Sequence, residues 1–299
     1  MKGDWLYIIL FAVAMLVIVG VFIGVVWVMS PASHKPVPTP TPTPAPAVIA
    51  GGPVMTITFI DVGQGDSEFI EFPNGKVMLI DAGQSSNASE VLEVTGFRNV
   101  IDAIAISHPH ADHIGGLETV LSRYRGDRFY DIGYPGTSEV YETLLKKVEV
   151  KGLSYATVNA FNAIDTDPMV TINVLNPNQT VEGDINDNSM VLHMTYRNFS
   201  VLFTGDAGIA AEEVYATELS KVDVLKVAHH GSDTATGSYL INHTRPGVSV
   251  ISVGADNIYG QPDAEVIGRL EEAGSQIYRT DVCGNVVVTT DGERYEAVC

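Results

Sequence analysis

Ser107-His108-Pro109-His110-Ala111-Asp112-His113-Ile114-Gly115-Gly116 sets three imidazoles and a carboxylate between an apolar run and a pair of glycines. The preceding residues 99–106 (NVIDAIAI) read as a buried strand, and the two glycines let the chain turn tightly into a helix that begins near Leu117. The cluster therefore sits on the loop that leaves the carboxyl end of a strand, where a short backbone can curl several ligands around an ion. Neutral imidazoles suit zinc, iron or manganese, and a carboxylate added to them anchors a second divalent ion.

Two more polar groups stand at the ends of apolar strands. Asp206 follows Gly205, and His229-His230-Gly231-Ser232 follows the strand predicted at residues 222–228. Loops beyond the strand ends on one sheet edge are where an α/β scaffold gathers its chemistry, so these sets are expected to meet the histidine loop. His34, His193 and His243 fall outside any such cluster.

The surrounding pattern is α/β. Residues 55–60, 67–72 and 76–80 alternate or run apolar, and the Asn74-Gly75 pair between the last two marks a hairpin turn. Helical periodicity near 88–96, 116–124, 137–148, 208–219, 235–242 and 263–273 interleaves with strands near 99–106, 128–133, 169–175, 189–196, 199–204, 222–228 and 248–253. Strands and helices thus alternate in two halves around a mixed, largely buried sheet system.

These motifs, in this order, resemble the metallo-β-lactamase superfamily, and within it the hydrolase domains of ComEC-type competence proteins. The likeness runs over residues 54–298 and rests on FIDVGQGD (59–66), LIDAG (79–83), HPHADH (108–113), Asn188-Ser189, TGD (204–206) and LKVAHHGS (225–232). It implies a four-layer αβ/βα sandwich and two divalent metal ions, zinc or manganese, at the edge between two sheets. By the same likeness His108 and His110 hold one ion, Asp112 and His113 the other, Asp206 bridges them, and His229 or His230 completes a shell. Asp81 and Asn188 are then supporting residues. Asp112, Asp66, Ser232 and Gln261 are the candidates for the chemistry itself.

The sequence departs from that pattern at two places. Residues 186–189 (NDNS) stand where the superfamily usually supplies a further histidine, and residues 257–262 (NIYGQP) put Gln261 where competence-type domains carry one. An amide cannot shuttle a proton, although it can hydrogen-bond a substrate oxygen.

The resemblance implies hydrolysis of phosphodiester bonds, with single-stranded nucleic acid as a candidate substrate. A small ester, lactone or β-lactam is the alternative that the same fold supports, and a metal-binding module without catalysis is a third. The formal net charge of -19 is a poor footprint for holding long nucleic acid through its phosphates, which calls for stripes of Lys and Arg.

The sequence divides into an apolar amino-terminal segment at residues 1–30, a Pro/Thr-rich linker at 31–50 and the catalytic region at 51–299. The stretch 5–29 is uncharged and apolar, longer than the roughly 20 residues that cross a bilayer, and reads as an uncleaved transmembrane helix with Trp5, Tyr7 and Trp27 near its ends. The alternating prolines of residues 36–47 read as an extended spacer. Cys283 and Cys299 are expected to form a disulfide across a terminal hairpin if its turn has three residues, which sets Thr289 against Glu293; a two-residue turn would instead set Cys299 against Gly284. With four Asn-x-Ser/Thr sites, at Asn87, Asn178, Asn198 and Asn242, this places the expected domain at the cell membrane on its extracytoplasmic side.

Overall fold

The computed structural model describes residues 52–96, 98–135, 138–178 and 183–299, so the apolar run, the proline-rich stretch and their boundaries lie outside the described residues. Among the described residues no helix is long and apolar enough to cross a membrane.

Two sheets face each other. The first holds eight strands in the order β14-β13-β1-β2-β3-β4-β5-β6, built from β1 (Met55–Phe59), β2 (Glu68–Glu71), β3 (Val77–Ile80), β4 (Val100–Ala105), β5 (Arg125–Asp131), β6 (Ser154–Thr157), β13 (Val286–Thr290) and β14 (Tyr295–Val298). The second runs β12-β11-β10-β9-β8-β7, from β7 (Val170–Asn176), β8 (Val191–Tyr196), β9 (Phe199–Phe203), β10 (Val224–Lys226), β11 (Val248–Ile251) and β12 (Gln276–Arg279). Strands β3 and β9 are buried along their whole length, as central strands covered on both faces must be, whereas the edge strand β7 alternates buried and exposed residues.

Between the sheets lies one apolar core that includes Phe59, Ile70, Met78, Met194 and Phe203, with the rings of Phe59 and Phe203 6.1 Å apart. Each outer face carries its own helices. Helices α1 (Ala88–Thr95), α2 (Ala111–Ile114), α3 (Leu117–Arg123) and α4 (Glu139–Lys151) cover the first sheet through Val91, Ile114, Leu121 and Leu144. Helices α5 (Ile209–Tyr215), α6 (Ser238–Thr244) and α7 (Ala264–Glu272) cover the second through Ala211, Tyr215, Leu240 and Val266. The result is the four-layer αβ/βα sandwich. The helices carry the stop and start signals their sequences provide: the Ser138 hydroxyl accepts the Tyr141 amide at the start of α4, and Gly152 ends it in a left-handed conformation.

The terminal hairpin departs from the expected register. Thr290 pairs with Tyr295, which leaves the four residues 291–294 in the turn. Asp291 explains this, because its Oδ1 accepts the amides of both Glu293 and Arg294 and closes a wider loop. Cys283 is not on a strand at all but ends a short helical turn, α8 (Thr280–Cys283). Gly284, at φ +73°, then leads the chain into β13, and the Cys283–Cys299 disulfide forms with its Cα atoms 5.1 Å apart. The bridge is present, but a helical turn delivers it rather than a cross-strand pair. Strands β6 and β12 had no counterpart among the elements expected from sequence pattern.

Candidate metal centre

Strand ends supply every part of the centre. Asp81 follows β3, the histidine loop follows β4, Asp206 follows β9, His229 and His230 lie in a turn after β10, and Ser252 follows β11. In the first sheet β3, β4 and β5 are parallel, and in the second β9, β10, β11 and β12 are, so these ends collect on a common side.

Asp206 is the hub. Its Oδ2 lies 3.3 Å from His113 Nε2, 3.8 Å from His108 Nε2, 3.8 Å from His229 Nε2 and 3.9 Å from His230 Nε2. Among the described residues four groups have donor atoms within 4.8 Å of one another: His108, His110 and Asp206; Asp112, His113 and His230; and two through Asp66, one with Asp206 and His230 and one with Asp81 and His113. His108 Nε2 and His110 Nδ1 are 2.9 Å apart, and His230 Nε2 is 3.5 Å from Asp112 Oδ2. Of the two adjacent histidines, His230 is thus the one in a compact set. His229 reaches Asp206 from a half-exposed position, and its Nδ1 stands 3.3 Å from Thr234 Oγ1.

The imidazoles are oriented from behind. Asp81 Oδ2 lies 2.9 Å from His113 Nδ1 and accepts the Ser107 hydroxyl at 2.5 Å, while Asp81 Oδ1 accepts the Ser107 amide. The Ser252 carbonyl, 2.9 Å from His230 Nδ1, can only accept. These partners fix the proton on Nδ1 in both rings and turn both Nε2 lone pairs toward Asp206 and Asp112. His113 Nε2, His230 Nε2 and Asp206 Oδ1 are buried with no hydrogen-bond partner among the described residues. Buried polar atoms are ordinarily satisfied. Lone pairs and carboxylate oxygens converging on one point, with nothing to donate, fit a divalent cation.

The electrostatics agree. Burial disfavours charge on His113, yet the Asp206 and Asp81 carboxylates overcome it and hold the imidazole pKa well above its usual value. His230 is likewise pushed up to about 10 by Asp206, Asp112 and Asp66 against the effect of burial. His108, buried and beside His113, is driven well below the usual histidine range. So dense a carboxylate field is a cation site, filled by protons when no metal is bound.

The FIDVGQGD turn forms the opposite wall. Gly65 has φ +149°, and a Cβ there would stand 2.3 Å from the Asp112 carbonyl oxygen, so only glycine lets this turn lie against the histidine loop. The Asp66 amide donates to the same carbonyl. Asp66 Oδ1 lies 3.3 Å from His230 Nδ1, and its Oδ2 accepts Lys226 Nζ at 2.6 Å. Both Asp66 and Lys226 are fully buried, as is Glu68 beside them. Burial and the Asp66 charge keep the Glu68 carboxyl protonated well above the usual range. Sequence reading did not single out Lys226, Glu68 or Ser107. The signal for Lys226 was there, a single cation inside the otherwise apolar strand residues 224–228.

The remaining candidates sit at the rim. The Ser232 hydroxyl is 2.9 Å from Thr234 Oγ1 and accepts the Thr234 amide, so it braces its own turn. Gln261 donates to the His229 carbonyl and accepts from Gln64 Nε2, tying the FIDVGQGD turn to the double-histidine turn. Asn188 donates to the Asp184 carbonyl. Two hydroxyl oxygens lie beside His108 Nδ1, that of Ser107 at 3.1 Å and that of Ser189 at 3.3 Å, and the Ser189 oxygen also accepts the Asp206 amide.

Comparison with known proteins places this geometry. The family profile described as the metallo-beta-lactamase superfamily matches residues 60–254. Recombination protein 2 of Haemophilus influenzae is 31% identical over 253 residues, 82% of this chain and 30% of that protein. ComE operon protein 3 of Bacillus subtilis is 28% identical over 252 residues, 77% of this chain and 32% of that protein. The chain thus spans about a third of the length of these relatives. Among solved structures, the metallo-beta-lactamase fold protein YhfI from Bacillus subtilis superposes with a TM-score of 0.54 at 14% identity, over 78% of this chain and 98% of YhfI. Fold and motifs agree with the profile: the chain belongs to the metallo-β-lactamase superfamily of hydrolases and is related to the Rec2/ComEC-family competence proteins.

Proposed function

We propose that this protein is a membrane-anchored hydrolase that holds two divalent ions, zinc or manganese, and cleaves phosphodiester bonds. The observation that carries the reading is the position of Asp206 between two histidine and carboxylate sets, a carboxylate placed to be shared. Divalent ions in such a centre supply Lewis acidity toward a phosphoryl oxygen and lower the pKa of water to about 7.

The chain's own residues do the rest. Asp81 and the Ser252 carbonyl lock the rings of His113 and His230, so the ligands are preorganised. Asp112, with 31% of its side chain exposed against 3% for Asp206, is the carboxylate through which a proton can leave the centre for solvent. Gln261 holds the His229 backbone in place. Its amide oxygen is already committed to Gln64, so the position acts by structure rather than by proton transfer.

Relatives named as a recombination protein and, in Neisseria gonorrhoeae, as a competence protein support phosphodiesters over lactams. The apolar residues 5–29 supply the anchor, and the disulfide supports an extracytoplasmic location for the catalytic domain. The full chain, stripped of metal, reloaded with manganese or zinc and offered single-stranded DNA, bis(4-nitrophenyl) phosphate and a chromogenic lactam, tests this reading. Hydrolysis of the two phosphodiesters ahead of the lactam is expected. The reverse ranking would assign the chain to the small ester and lactam hydrolases.

A further inference from the structure

A cleft of about 700 Å³ opens beside the metal centre, with Asp112 in its wall. Its size lies in the range of small-molecule sites. The lining divides by chemistry. Ile114 on α2 and Val140 and Leu144 on α4 give it an apolar side, the last two one helical turn apart. Gln64 and Tyr259 add an amide and an aromatic ring, and Tyr259 is 69% exposed, open for stacking. The charged residues of the lining are Asp112, Glu118 and Glu139, and no Lys or Arg is among the described residues that line it.

That charge pattern limits what can lie there. With Asp112 taken up at the metal centre, a polynucleotide threaded past it would still place its next phosphate beside the Glu118 and Glu139 carboxylates, without the cations that phosphate binding requires. Lys226, on the strand that leads into the double-histidine turn, is buried and bound to Asp66. A neutral heteroaromatic group meets the opposite situation, with apolar contacts, a ring to stack on and an amide for its polar edge.

We propose that this cleft binds the uncharged, nucleoside-sized group esterified to the phosphate at the metal centre, and that it accepts no second phosphate. The inference rests on the phosphodiesterase reading and narrows its substrate class to small phosphodiesters and the terminal linkages of longer ones.

Binding measured by calorimetry on the manganese-loaded full chain tests it with methyl phosphate, thymidine 5′-monophosphate and thymidine 3′,5′-bisphosphate. The nucleotide is expected to bind about tenfold more tightly than methyl phosphate, the size of one base-stacking contact, and the bisphosphate no more tightly than the monophosphate. Val140→Trp, which fills the apolar side, and Tyr259→Ala, which removes the ring, each remove the nucleoside's advantage, with folding checked by thermal melting. Equal binding of methyl phosphate and the nucleotide, or an advantage that survives both variants, overturns the proposal while leaving the phosphodiesterase reading intact. A bisphosphate that binds about tenfold more tightly than the monophosphate overturns it too, because the cleft then carries a polyanion. If no phosphate binds the loaded protein, the phosphodiesterase reading falls and the proposal with it.

Discussion

Lys226 and Asp66 form an ion pair with Nζ 2.6 Å from Oδ2, and their side chains are only 1% and 2% exposed. The pair joins the strand that precedes the double-histidine turn to the FIDVGQGD turn, and Asp66 is at the same time 3.3 Å from His230. Breaking a buried pair strands a charge and costs about 3–5 kcal/mol, whereas removing both partners costs much less than the sum. Lys226→Met is therefore expected to lower stability by that amount, and Lys226→Met combined with Asp66→Asn to recover a large part of it. Urea denaturation of the two single variants and the double one measures the coupling. Strictly additive losses would mean that the pair does not act as a unit.

Gly65→Ala tests the contact between the FIDVGQGD turn and the histidine loop. The new Cβ would meet the Asp112 carbonyl at 2.3 Å, in a backbone conformation that L residues rarely adopt. The loop must shift, and a displacement of about 1 Å at a reacting centre can cost on the order of 10²-fold in rate. Metal content and phosphodiester turnover should fall together. Wild-type values for both would show that the loop is not held by this contact.

Glu212 on α5 is buried, and its carboxylate accepts the amides of Thr236 at 2.5 Å and Gly237 at 2.7 Å. Thr236 Oγ1 in turn accepts the amide of Ala228, next to His229. Burial raises the Glu212 pKa from 4.5 to about 7, with the Gly237 and Thr236 amides and the Arg269 charge pulling the other way. The folded protein therefore holds this proton more tightly than the unfolded chain does. The contribution is fully present below about pH 4.5 and is lost as pH rises through about 7, a change of about 3 kcal/mol at most. In chelator, the loss of stability between pH 5 and pH 8 should be smaller by about 2–3 kcal/mol in Glu212→Gln than in the wild type. Parallel pH profiles would contradict the assignment.

The Cys283–Cys299 bridge predicts no reactive thiol in denatured, unreduced protein taken from cells with alkylation on lysis, and two after reduction. Two thiols before reduction would remove this support for a domain outside the cytoplasm.

The sequence revealed the site more fully than its surroundings. Metal ligands declare themselves because imidazoles and carboxylates at strand ends have few other reasons to cluster, and His108, His110, Asp112, His113, Asp206 and His230 converge in the structure. The central strands were legible for a similar reason, since β9 is apolar and buried throughout. Strand β6 was not, because it is a short edge strand with three of its four residues exposed and carries no alternation. The hairpin register turned on one side chain, Asp291, whose two amide contacts widen the turn beyond what Gly292 alone suggests. Lys226 escaped notice because a lysine in an apolar strand acquires meaning only when Asp66, 160 positions earlier in the chain, is seen beside it.

Asp206 lies between the two sets of imidazole and carboxylate donors, so under the proposed function its removal costs metal and phosphodiester turnover together. Metal content by mass spectrometry, measured with bis(4-nitrophenyl) phosphate turnover on the stripped and manganese-reloaded chain, tests it in wild type and Asp206→Ala. Two ions per chain and turnover are expected in the wild type, with metal lost and turnover at background in a variant that remains folded. A wild type that holds one ion or none, or an Asp206→Ala variant with full turnover, would contradict it.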